Sequence, residues 1–323
     1  MYLKILVPLD GSEVAECVLP HVEVLSRGYE NASITFLYVV APLDSPMVNP
    51  NYRSKVRAED RGAVEDYLKN RSKIGTEARD AAEDYLKKLC AKASFKDRAS
   101  GKVIVGKVAD AIVEYAAKNR MDIIVMATHG SSGVSHWFYG SVAEKVVHGS
   151  KIPIWLVKAS SRHTVSYAHN KKLSVLVSLD GSEVAESVLP HLVELSKQLP
   201  KNKMDITLMR VCEIFSGPIT YPPPVAMSWE ECLAYETKRC KEICQDYLNQ
   251  IQAKLEKSGL NTHTEVPEGN PAEVLIKYIN NNPVDLVIMS THGRTGISKW
   301  AFGSIAEKVL KGAESPILLV RAK

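Results

Sequence analysis

Two short blocks, each present twice, hold the residue types and spacings best suited to chemistry. Asp10-Gly11-Ser12-Glu13 recurs as Asp180-Gly181-Ser182-Glu183. A carboxylate closing a strand can accept hydrogen bonds from a ribose hydroxyl. The same Asp, with Glu three residues on, also reads as a helix-capping box, and these residues alone leave both readings open. In the second block, Thr128-His129-Gly130 is followed after nine residues by Gly140-Ser141, and Thr291-His292-Gly293 by Gly303-Ser304 at the same spacing. Glycine permits close backbone approach or positive φ. The second glycine stands where a helix opens, and its amides and positive dipole end suit an anion such as a phosphate. The competing reading is again capping, Ser141 with Glu144 and Ser304 with Glu307. Spacing kept twice favours the anion. His129 and His292 either donate to that anion or organise the loop.

The elements that position these blocks follow from the repeat. LDGSEVAECVLPH from Leu9 matches LDGSEVAESVLPH from Leu179 at twelve of thirteen positions, an offset of 170. THGSSGVSHWFYGSVAEKVV from Thr128 pairs with THGRTGISKWAFGSIAEKVL from Thr291, an offset of 163. The chain is therefore expected to be one domain made twice, residues 1–158 and 171–323, with a polar linker over 159–170. Apolar runs predict buried parallel strands at Leu3–Leu9, Ile34–Val40, Val103–Val105, Asp122–Ala127 and Ile152–Val157. Their copies are Leu173–Leu179, Asp205–Val211, His263–Val266, Asp285–Ser290 and Pro316–Val320. Helical patterns between them cover Glu13–Ser26, Glu77–Ala93, Ala109–Asn119 and Val142–His148. Such alternation predicts an α/β fold, each half a five-stranded, doubly wound parallel sheet. Ligands of these sheets bind beyond the strands' carboxyl ends, where the strand order reverses. Both repeated blocks fall there.

Composition excludes several classes. With 323 residues, 45% hydrophobic and 24% charged, the chain has the makeup of a globular protein. A net charge of +4 gives no nucleic-acid footprint. The short apolar start at Ile5-Leu6-Val7 does not suit a secretory signal, and no stretch approaches the roughly 20 apolar residues of a membrane span. A cytoplasmic location is expected. The six cysteines form no CxxC pair. Cys232, Cys240 and Cys244 read as buried helix thiols before they read as a metal or redox group. His21 and His191 read as helix-surface residues, and Trp137 and Trp300 as packing.

On the two blocks and their spacing, the whole chain, once per half, resembles the universal stress protein family. The resemblance implies a Rossmann-like sandwich of the adenine nucleotide alpha hydrolase type. Nucleotide-binding members carry Gly-x2-Gly-x9-Gly-(Ser/Thr) after the fourth strand and an Asp closing the first. By resemblance, Asp10 and Asp180 sit against the ribose, and the backbone at Val39 and Val211 holds adenine. Gly130, Gly140, Ser141 and Val142 cradle phosphates, as do Gly293, Gly303, Ser304 and Ile305. The implied cofactor is ATP or another adenine nucleotide with Mg2+, no metal being held by protein groups alone. The motif's first glycine is here Ala127 and Ser290, and Pro8 of the first half becomes Ser178. Arg294 in place of Ser131 gives the second half a cation for phosphate. The second half is therefore expected to hold a triphosphate better.

No GxxxxGK[ST], GxGxxG, GxSxG or HExxH occurs, so fast ATP hydrolysis is not expected. The segments 41–57 and 213–228, the latter with Gly217-Pro218 and Pro222-Pro223-Pro224, read as a lid, a partner surface or a plain excursion. The expected function is a nucleotide-responsive stress or energy-state regulator; the alternatives are an interaction scaffold without nucleotide or a slow ATPase. The last strands, apolar sheet edges if left alone, are implied by the resemblance to meet across a two-fold. The two halves would then form an intrachain pseudo-dimer. A homodimer of chains and a protein partner stay open.

Overall fold

The structure, a computed structural model, describes residues 2–27, 31–42, 61–128, 140–158, 172–198, 204–213, 228–292 and 303–321, with backbone only for most of 61–71. The linker over 159–170, Trp137 and Trp300 lie outside the described residues, as does nearly all of segments 41–57 and 213–228.

Each half lays down the expected alternation. The first runs β1 (Lys4–Leu9), α1 (Glu13–Glu16), α2 (Leu19–Arg27), β2 (Ser33–Val40), α3 (Arg61–Lys92), a 3-10 turn, β3 (Ala99–Val105), α4 (Val108–Lys118), β4 (Ile123–Ala127), α5 (Ser141–Gly149) and β5 (Ile154–Val157). The second runs β6 (Leu173–Ser178), α6 (Glu183–Glu186), α7 (Leu189–Lys197), β7 (Met204–Met209), α8 (Trp229–Glu256), β8 (Thr262–Glu265), α9 (Pro271–Asn281), β9 (Leu286–Ser290), α10 (Ser304–Gly312) and β10 (Ile317–Val320). The expected single helix Glu13–Ser26 is two helices. Pro20 has no N–H to donate, and its ring would clash with the carbonyl four residues back, so the chain breaks after Glu16 and restarts at Leu19.

Both faces of the inner strands are buried. Along β1, Ile5, Val7 and Leu9 pack into one apolar layer while Leu6 enters the other. Along β4, Ile123, Val125 and Ala127 alternate with Ile124 and Met126 in the same way. That two-sided burial is why these strands read as unbroken apolar runs. β1 pairs in parallel with β2 on one side and β4 on the other, and β6 likewise with β7 and β9. Strand order therefore reverses at β1 and at β6. The crevice that this topology opens lies beyond their carboxyl ends.

The halves share one ten-stranded sheet, in the order β3-β2-β1-β4-β5-β10-β9-β6-β7-β8. Its centre is an antiparallel pair in which Leu318 lies opposite Trp155, flanked by Ile317–Leu156 and Leu319–Ile154. The two last strands thus remove each other's exposed edge. Two cations lock the joint reciprocally. Lys158 Nζ donates to the carbonyls of Lys311 and Ala313 at the end of α10, both at 2.9 Å. Arg321 Nη1 donates to those of His148 and Ser150 at the end of α5, at 3.1 and 3.3 Å. Each half therefore supplies a positive charge to the negative end of the other half's last helix.

The joint also changes the reading of two histidines. His21 is buried and tilts against the Trp155 ring at 5.8 Å, and burial lowers its pKa to about 4. His191 is half-buried, its Nδ1 2.7 Å from the Tyr2 hydroxyl of the other half. Neither is a plain surface residue: His21 packs against Trp155 of its own half, while His191 makes a contact between the halves. The thiols are corrected too: Cys240 is joined to Cys212 in a disulfide. Cys232 and Cys244 are buried and free. Among the described residues no group of three or more His, Cys, Asp or Glu side chains is placed to hold a metal, and no helix is long and apolar enough to cross a membrane.

Candidate functional site

The turn after the first strand is built the same way in both halves. Gly11 and Gly181 have φ of +84° and +89°, a region that costs an L side chain energy, so glycine is required there. The turn folds Asp10 Oδ1 back to accept from the Ser12 N–H at 3.0 Å and the Ser12 hydroxyl at 2.6 Å. Asp180 Oδ1 accepts equally from Ser182, at 2.9 and 2.6 Å. The serines are the caps, Ser12 Oγ accepting from the Ala15 N–H at 3.2 Å and Ser182 Oγ from the Ala185 N–H at 3.1 Å. The expected capping box with Asp at its head is therefore not formed. The positive-φ glycine delays the helix by two residues, and each aspartate orients the capping serine from the end of the strand.

After the fourth strand, Gly140 N–H donates to Thr128 O at 2.8 Å and Gly303 N–H to Thr291 O at 2.9 Å. These bonds set the start of α5 and α10. Gly140 (φ −57°) and Gly303 (φ −64°) are the N-caps, and neither helix has a side-chain cap. Ser141 and Ser304 are the first helical residues, one place too late to cap, so the boxes with Glu144 and Glu307 do not form. The α10 ladder begins with Glu307 N–H on Gly303 O at 3.0 Å, and the α5 ladder with Glu144 N–H on Gly140 O at 3.1 Å. The amides of Ser304, Ile305 and Ala306 precede that ladder, as do those of Ser141, Val142 and Ala143. Because φ is negative at both glycines, positive φ does not explain them.

In the second half these features meet in one cavity of about 400 Å³. Ser178 and Asp180 come to it from the end of β6, Val211 from beyond β7, and Ser290 and His292 from β9. Gly303, Ser304 and Ile305 come from the start of α10. All eight described candidates of this half thus line a single space; Gly293 and Arg294 lie outside the described residues. Ser290, standing where the family motif has glycine, is buried, and its hydroxyl donates to His292 O. His292 Nδ1 lies 2.9 Å from the Thr291 hydroxyl, while its Nε2 is buried with no hydrogen-bond partner among the described residues. A buried polar nitrogen in a lined cavity is an acceptor or donor awaiting a partner.

Sequence reasoning missed Glu213, Asn270, Pro271 and Lys308, which also line the cavity. Asn270-Pro271 carried a readable signal. Asn capping with Pro at the first helical position marks a helix start, and Asn270 Oδ1 accepts from the Ala272 and Glu273 amides at 3.1 and 3.4 Å. That places α9 beside the pocket. Lys308 follows Ser304 by one helical turn.

In the first half, Pro8, Asp10, Val39, Ala127, Gly140, Ser141 and Val142 take the corresponding strand-end and helix-start positions; His129 and Gly130 lie outside the described residues. Ala127 is buried and Pro8 half-buried, while Asp10 and Ser141 are exposed. The residue beneath the Asp-Gly turn differs between the halves. Tyr38 underlies Gly11 and meets Tyr85 edge-on at 6.3 Å, and the Tyr85 hydroxyl donates to Glu16 at 2.9 Å. Burial, then the Glu16 carboxylate, pushes Tyr85 well above the ordinary phenol range. In the second half the Arg210 guanidinium underlies Gly181 and stacks on Tyr247 at 4.9 Å. There Glu186 takes Lys254 as its partner at 3.1 Å.

Fold and cavity define a class: paired, doubly wound α/β domains fused through their last strands, each opening a helix at the point where strand order reverses. The model of the universal stress protein family matches residues 1–158 and again 173–321, and the chain belongs to that family. It is similar to a universal stress protein of Methanocaldococcus jannaschii, 30% identical over 46% of this chain and 81% of the relative. It is also similar to one of Mycolicibacterium smegmatis, 25% identical over 64% of each. A solved universal stress protein of Archaeoglobus fulgidus shares the fold over 99% of both chains, with a TM-score of 0.64 at 17% identity.

Proposed function

We propose that the chain binds an adenine nucleotide, ATP with Mg2+, and acts as a nucleotide-responsive regulator whose occupancy reports stress or energy state. The observation that carries this reading is the second-half cavity, where a helix N-terminus without a side-chain cap, the Gly303 backbone and His292, whose Nε2 has no hydrogen-bond partner among the described residues, converge. The Ser304, Ile305 and Ala306 amides would hold phosphate oxygens, with the dipole of α10 favouring the negative charge. Lys308 adds a cation on the same wall. Asp180, already orienting Ser182, would accept from ribose, and the backbone at Val211 would meet the adenine edge. Mg2+ would be carried largely by the phosphates, as this ion keeps several waters and few protein ligands. Asp10, Val39 and the start of α5 would serve the first half in the same way, with Gly130 and His129 contributing to its loop.

A second reading, an interaction scaffold with empty pockets, is favoured by Ser290 and Ala127. Each puts a side chain where the family's nucleotide motif has glycine. The two readings separate when purified protein is denatured and the released small molecules are analysed by chromatography and mass spectrometry. The nucleotide reading expects adenine nucleotide in the supernatant and a rise in melting temperature with millimolar Mg-ATP. Neither nucleotide nor a thermal shift would leave the scaffold.

A further inference from the structure

The wall of the second-half cavity has a covalent option that the first half lacks. Val211 and Glu213 line the cavity, and the residue between them, Cys212, is fully buried with its side chain joined to Cys240 of α8. Their Cα atoms are 5.9 Å apart, inside the range a disulfide spans. Backbone bonds hold Cys212 in place, its N–H donating to Pro267 O at 2.8 Å and its carbonyl accepting from the Gly269 N–H at 3.1 Å. Lys241, next to Cys240, pairs with Glu268 of that same turn. In the first half, the carbonyl that accepts from the corresponding Gly106 N–H belongs to Val40, so no thiol stands there.

We propose that Cys212 and Cys240 form a reversible thiol–disulfide pair, oxidised by low-molecular-weight disulfides such as oxidised glutathione, whose bond ties the pocket wall of the second half to α8. Cys240 is half-buried and Cys212 fully buried, so the small disulfide meets Cys240 first. The Cys240 thiolate attacks one glutathione sulfur, the glutathione S–S bond breaks, and one glutathione thiolate leaves. Cys212 then gives up its proton and attacks Cys240 Sγ, expelling the second glutathione. Two protein thiols and one small disulfide become one protein disulfide and two small thiols, with each protein proton taken up by a departing thiolate. The tether fixes Val211 and Glu213 before any ligand arrives, and such preorganisation strengthens binding. That consequence for affinity rests on the nucleotide reading; the bond itself does not.

The test is peptide mapping of full-length protein equilibrated with oxidised and reduced glutathione. It should find a 212–240 cross-link that dithiothreitol removes, with Cys232 and Cys244 free. Cys212→Val, the residue the first half carries at this place, should accumulate one glutathione on Cys240. Cys240→Ala should leave Cys212 reduced. Cys240 linked to Cys232 or Cys244, or all thiols free in excess oxidant, would overturn the pair. Amide exchange over 210–213 should slow in the oxidised form, and equal exchange in both forms would overturn the tether. Mg-ATP should bind the oxidised wild type several-fold more tightly than the reduced protein, with no redox effect in Cys212→Val. Equal affinity in both states overturns the coupling. Absence of binding in both, with the cross-link and slowed exchange present, overturns the nucleotide reading and supports the thiol pair.

Discussion

The two halves of this chain share every strand of the sheet topology and differ in what lies under and beside the same turn. Beneath Gly11 is a tyrosine pair, Tyr38 and Tyr85, closed by Glu16. Beneath Gly181 are Arg210 and Tyr247, with Glu186 pairing with Lys254 while its charge also helps raise the Tyr247 pKa, and a disulfide just beyond β7. The cap, the glycine φ and the helix starts are kept, because backbone geometry depends on them. The side chains packed behind are free to diverge, since any group that fills the space and meets its partners will serve. Duplication has therefore preserved the turn and the helix starts while giving the side chains packed behind them different chemistry.

The joint provides the largest test of this division. Trp155 and Leu318 face each other across the central strand pair, both fully buried. Trp155→Ala should cost about 3–5 kcal/mol and Leu318→Ala about 2–5 kcal/mol, read from urea unfolding. A cost below 1 kcal/mol for either would mean that the halves do not depend on each other there. Next comes acid. The folded pKa of His21 is about 4 against an ordinary 6.5, so between those values the unfolded chain binds a proton that the folded chain refuses. Its contribution is complete above pH 6.5 and is lost as pH falls through the window, to about 3 kcal/mol in all. His21→Leu should flatten that acid limb; an unchanged slope would contradict the burial argument. The smallest effect compares the two glutamate partners. Tyr85→Phe removes a part-buried hydrogen bond and should cost about 1 kcal/mol. Lys254→Met breaks an exposed pair and should cost no more than about 0.5 kcal/mol. The reverse order would contradict the ranking of the part-buried hydrogen bond above the exposed ion pair.

Much of this was legible in the residues. The matched blocks at Leu9 and Leu179, and at Thr128 and Thr291, marked a duplicated α/β unit. The apolar runs placed the strands within a few residues, and the inner ones most clearly, because strands buried on both faces leave no polar alternation to misread. The outer strands β3 and β8 are largely exposed, not buried as expected, because each pairs on one side only. The cap was misassigned to Asp10 because Asp and Ser are both good caps, and the positive φ of Gly11, which decides between them, is a property of the folded turn. His21 read as exposed because the ring it packs against, Trp155, stands 134 positions away on the last strand of the same half. Lys158, Arg321 and the Cys212–Cys240 bond were hidden for the same reason: their partners lie 28 to 173 residues distant in the chain. The Asn270-Pro271 helix start is a visible, local signal, but it lies outside both repeated blocks, and only the fold brings it beside them.

The most direct test of the central claim, one framework built twice and proposed to hold two unequal sites, is a calorimetric titration of Mg-ATP into the wild type, Gly140→Val and Gly303→Val. Each added side chain would crowd the helix start where a phosphate is proposed to approach. The account predicts that each variant loses one site and keeps the other, and that Gly303→Val removes the tighter one. Binding untouched by either substitution, or lost equally from both sites by each, would contradict it.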